Sequence, residues 1–97
     1  MIFIYQFNKE LEEFEKFTQE ENVPLFEILD SDKILLFIDM NNNRVWIWEG
    51  KNSSTKMKFI SAQSASQIRD KHDNTFTIST VDEQNETTAF KLMVGLV

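Results

Sequence analysis

The chain has no cysteine, one proline and two glycines among its 97 residues. Without thiols there is no disulfide framework, no thiolate zinc site and no cysteine nucleophile, which suits a reducing compartment. Basic residues are few: ten Lys and Arg against sixteen Asp and Glu leave a net charge of −6. That balance excludes a general phosphate-backbone binder, which needs a basic face, so nucleic acid is not an expected partner. No apolar run approaches the ~20 residues of a membrane span. Met1-Ile2-Phe3-Ile4-Tyr5 is too short, and lacks the basic flank, for a secretory signal, and a cytoplasmic protein is expected. The sequons at Asn52 and Asn85 then read as chance matches. Glycine-rich phosphate loops and nucleophile elbows are also missing, and the one histidine, His72, falls at a helix end where it caps or is solvated. An enzyme is not expected.

What the chain does have is aromatic bulk, with nine phenylalanines and two tryptophans. A chain of this size buries roughly 60% of its unfolded surface, enough for one modest core. A single domain over residues 1–97 is therefore expected. Both tryptophans lie in Arg44-Val45-Trp46-Ile47-Trp48-Glu49-Gly50-Lys51. On a strand Trp46 and Trp48 share one face and Val45 and Ile47 the other, so this strand is central and covered on both sides. Ile34 to Ile38 is a second continuous apolar run, and the Met40-Asn41-Asn42-Asn43 turn joins the two as a hairpin.

Around these lie weaker signals. Ile2 to Gln6 reads as a strand, Asn8 as a helix N-cap, and Lys9 to Glu20 as an acidic helix ended by Asn22 and Pro24. Leu25 to Leu29 reads as a strand. Ser53 or Ser54 caps a long helix reaching about Lys71. On its wheel Met57, Ile60, Ser61, Ser64 and Ile68 face the sheet, whereas Phe59, Ala62, Gln63 and Ser66 face away. Phe59 is either part of a partner-binding ridge or a core residue covered by the acidic helix. Thr75 to Val81 alternates as a strand, and Thr87 to Leu96 forms a short helix burying Phe90, Met93 and Val94. The expected order is β-α-β-β-β-α-β-α, an α/β (α+β) fold whose mixed sheet lies between a long and a short helix. Trp46, Trp48, Ile60, Ile68 and Phe90 are its expected core.

The pieces Trp46-Ile47-Trp48-Glu49-Gly50-Lys51, Ile68-Arg69-Asp70, and Val81-Asp82-Glu83-Gln84-Asn85-Glu86 with Phe90 resemble, in order and spacing, a gelsolin/villin-type repeat. The resemblance runs from about Ser31 to Gly95, and residues 1–30 depart from it. It implies an actin-binding module whose long helix lies in the cleft of an actin subunit, with Phe59, Ala62, Gln63, Ser66, Arg69 and Asp70 as the contact surface. One domain would cap or sequester a subunit, since severing in this family needs linked repeats. The alternative is a non-actin interaction module, of the kind found in vesicle coats or docking small GTPases.

Calcium is the usual switch of such domains, and the resemblance makes Asp32 and Asp70 the candidate ligands, Asp70 at an interface completed by the partner. Lys56-Met57-Lys58 stands where the family prefers an acid, so the helix offers no second hard oxygen ligand. No cofactor is required. Lys51, Lys56 and Lys58 form a small cationic cluster able to touch acidic lipid heads, although three lysines in an acidic chain read more simply as a solvated face. A membrane is not an expected partner.

Overall fold

A computed structural model describes residues 2–19 and 22–97. Two neighbouring apolar strands form its centre, β3 (Ile34–Asp39) and β4 (Arg44–Glu49), paired antiparallel as a hairpin. Asn43 adopts a positive φ of 53° in the turn, as its short amide side chain permits. The turn is held by Asp39, whose carboxylate accepts from the Asn41 amide and the Asn42 side chain. β1 (Ile2–Asn8) pairs antiparallel with β3, and β2 (Glu13–Phe17) with β1. After the helix α1 (Thr55–His72), strand β5 (Thr77–Asp82) joins β4 in parallel. The sheet order is β2-β1-β3-β4-β5. The helix α2 (Thr88–Val94) closes the chain, capped by the Thr87 hydroxyl and ended by left-handed Gly95.

Alternation along the strands builds two cores. Phe7, Ile34, Leu36, Ile38, Val45 and Ile47 meet Ala65 and Ile68 of α1 on one face. Leu35, Phe37, Trp46, Trp48 and Val81 meet Phe90 and Val94 of α2 on the other. The two tryptophans thus share the α2 face, as the alternation predicts, and of the expected core only Ile60 is partly buried.

Two expected elements are corrected. The segment read as an acidic helix is a turn and a strand; its predicted last residue, Glu20, lies outside the described residues. Asn8 accepts from the amides of Glu10 and Leu11, which turns the chain back into β2 instead of opening a helix. Phe14 then meets Phe7 edge-on at 5.2 Å, on the α1 side of the sheet, while Glu13 and Glu15 stay exposed on the edge strand. Pairing satisfies the outer backbone groups of β1, a tertiary gain that outweighs helix propensity. Leu25–Ile28, read as strand, is a 3₁₀ turn that packs Leu25 and Ile28 on the α2-side core.

The motif pieces also interlock. A Cβ at Gly50 would lie 2.4 Å from the Ser31 carbonyl oxygen, so only glycine fits. The Trp48 indole donates to Glu86 at 3.0 Å, and Glu83 accepts from the Ser31 hydroxyl and the Lys51 amide, both at 2.9 Å. The two glutamates after β5 therefore tie β4, α2 and the 30–33 loop together.

Candidate functional site: the outer face of the long helix

The 18 residues of α1 extend ~27 Å at the usual rise. The Ser54 hydroxyl accepts from the Met57 amide at 3.1 Å and starts the helix. Arg69, Lys71 and His72 fill its last turn, where the dipole favours positive charge, while Lys56 and Lys58 oppose the dipole at the start. Asp73 ends the helix: its carboxylate accepts from the Thr75 amide and hydroxyl, which also holds it below the usual carboxylate range.

Burial divides the helix by face. Ser61, Ala65 and Ile68 are buried, with Met57, Ile60 and Ser64 partly so. Ala65 was absent from the wheel reading because alanine carries little hydrophobic signal, yet its small side chain lets the helix approach the sheet. Phe59 is 65% exposed, so the strand formed by the acidic segment leaves it uncovered. Ala62, Gln63 and Asp70 are exposed and Ser66 and Arg69 half-buried, all along one side. Ser66 returns its hydroxyl to the Gln63 carbonyl, and Arg69 pairs with Asp70 at 3.1 Å. The result is one aromatic group projecting from a strip of small and amide side chains, with an ion pair at its far end.

His72 differs from its expected capping or solvated role. It is half-buried, within hydrogen-bonding distance of the Tyr5 hydroxyl at 3.0 Å and 4.9 Å from the Phe3 ring. The C-terminal end of α1 is thereby fixed to β1.

The candidate calcium ligands lie apart, Asp32 in the loop bonded to Asn52 ahead of α1 and Asp70 in its last turns. Asp32 accepts from the Asn52 amide group at 2.8 Å and Asp70 is bound to Arg69. Among the described residues no three His, Asp or Glu side chains converge as a metal-ligand set. Each candidate carboxylate thus has one oxygen engaged, Asp32 by a neutral amide and Asp70 by the Arg69 guanidinium. Of the lysine cluster, Lys58 is committed to Asp82 at 3.3 Å. Among the described residues no helix is long and apolar enough to cross a membrane.

No protein-family model matches the chain, and no curated protein matches it. Solved structures do. The fold superposes on the crystal structure of the Thorarchaeota ProGel/rabbit actin complex with a TM-score of 0.79 and 18% identity, over 98% of this chain and 100% of that one. The Thorarchaeota 2DGel3/rabbit actin complex matches with a TM-score of 0.68 and 21% identity, over 92% of this chain and 43% of that one. The mixed five-stranded sheet between a long and a short helix is the gelsolin-like fold.

Proposed function

We propose that this gelsolin-like domain binds an actin subunit through the outer face of α1. The observation that carries the reading is Phe59, 65% exposed on a helix whose other large apolar groups face the sheet. Its fold partners, ProGel and 2DGel3, were each crystallised with rabbit actin, which supports actin as the class of partner.

Burying the Phe59 side chain at an interface contributes roughly 1.5–3 kcal/mol. Ala62 and Ser66 beside it add little bulk, so the helix backbone approaches a groove closely, while Gln63 supplies amide donors and acceptors. Arg69 and Asp70 form the polar rim, where charge sets orientation more than affinity. The binding is stoichiometric and non-enzymatic, in a cytoplasmic, cytoskeletal setting. One ridge engages one subunit, which suits capping or sequestering by this domain.

Co-sedimentation and assembly kinetics with actin test this. Wild type is expected to retard assembly or hold subunits in the supernatant, and Phe59→Asp to do neither. No effect of wild type at tens of micromolar, or an unaffected variant, overturns the reading.

A further inference from the structure

Beneath the same end of α1 lies a charged cluster that the contact surface does not use. Glu49 ends β4 and Asp82 ends β5, and the parallel register sets them side by side. By alternation with Val45, Ile47 and Ile78, both face α1. Glu49 is only 6% exposed, whereas the Asp82 side chain beside it, on the edge strand, is half exposed. From α1, the Lys58 ammonium reaches Asp82 Oδ1 at 3.3 Å. Among the described residues, the charges that act on Glu49 are those of Asp82 and Lys58. Ile34 is the partner of Glu49 on β3, and Glu83, after β5, is engaged by Ser31 and Lys51. One ammonium thus serves two adjacent carboxyl groups, and the local charge balances only when one of them keeps its proton.

We propose that Glu49, Asp82 and Lys58 are positioning residues, a proton-linked clamp that holds the first turns of α1, and with them Phe59, in the binding arrangement when Glu49 is protonated. The clamp rests on the reading of α1 as the contact helix. Lys58 directly precedes Phe59, so the ion pair to β5 fixes the backbone from which the aromatic side chain projects. Burial, then the hydrogen bond and charge of Asp82, raise the Glu49 carboxyl to about 7, against a smaller lowering by Lys58. The hydrogen bond from Glu49 lowers Asp82, which stays ionised and paired. Above neutral pH two carboxylates face each other across the strand pair, and the start of α1 loosens.

The test measures hydrogen exchange of the amides of residues 57–61 in the free chain, and actin affinity, each at pH 6.2 and pH 8.0. Wild type, Glu49→Gln and Lys58→Met are compared. In wild type, protection at the start of α1 is expected to fall at least fivefold between the two pH values, and affinity to weaken by a similar factor. Glu49→Gln, which keeps the hydrogen bond without the ionisation, is expected to show neither change. Lys58→Met is expected to lower protection at both pH values. Equal pH responses in wild type and Glu49→Gln would overturn the clamp whether or not actin binds. A pH-dependent free chain that binds no actin at either pH would instead sink the functional reading, and with it the clamp's link to binding.

Discussion

The two faces of the sheet are packed differently. On the α2 side, Phe90 meets Phe37 and Trp46 edge-on at 5.8 and 5.6 Å, and the Trp48 indole is tied to Glu86. On the α1 side aliphatic residues of β3 and β4 meet the helix, the aromatic groups lie around them, Phe7 against Phe14 and Phe3 and Tyr5 against His72, and the buried Glu49 carboxyl lies beside the exposed Asp82. The α2 face locks the scaffold, while the α1 face holds a helix whose outer side stays open. On the proposed reading stability and binding depend on separate residues, a separation that substitutions can measure.

Phe90→Ala should remove the centre of the aromatic lock and destabilise the domain by about 3–5 kcal/mol, read as a lower denaturant midpoint. Gly50→Ala attacks the junction between the faces. Its methyl must push away the Ser31 carbonyl, with an expected loss of about 2–3 kcal/mol in the same assay.

Glu49 gives the α1 face a pH dependence of its own. Its folded-state pKa, about 7, lies above the ordinary value of 4.5, so the folded chain holds this proton more tightly than the unfolded chain. Its contribution to stability is therefore complete below the unfolded value and is lost as pH rises through about 7. The loss should amount to about 2 kcal/mol in denaturant titrations between pH 5 and 8. Glu49→Gln should abolish that slope. Phe59→Asp should change stability least, by no more than about 0.5 kcal/mol, because the side chain already faces solvent. A large stability change there would merge the two faces into one.

Much of this division was legible in the sequence. The tryptophan strand, the asparagine turn, the cap at Ser54 and the outward direction of Phe59 all depend on short-range spacing, and each stands in the structure. The β2 strand was hidden because Phe14 and Phe17 stand three apart, a helical spacing, whereas on the strand they face opposite sides of the sheet. Only the pairing of Phe14 with Phe7 and of β2 with β1 decides between helix and strand. The Glu49–Asp82–Lys58 cluster was invisible for a similar reason: its members are distant in sequence, and parallel strand pairing brings them together.

Calorimetric titration of actin monomers with wild type and with Phe59→Asp addresses the proposed function most directly. The expected result is a one-to-one complex of micromolar or tighter affinity for wild type, and at least a tenfold loss for a variant that remains as stable as wild type. Equal affinities for two equally stable proteins, or no heat of binding from wild type at tens of micromolar, would contradict it.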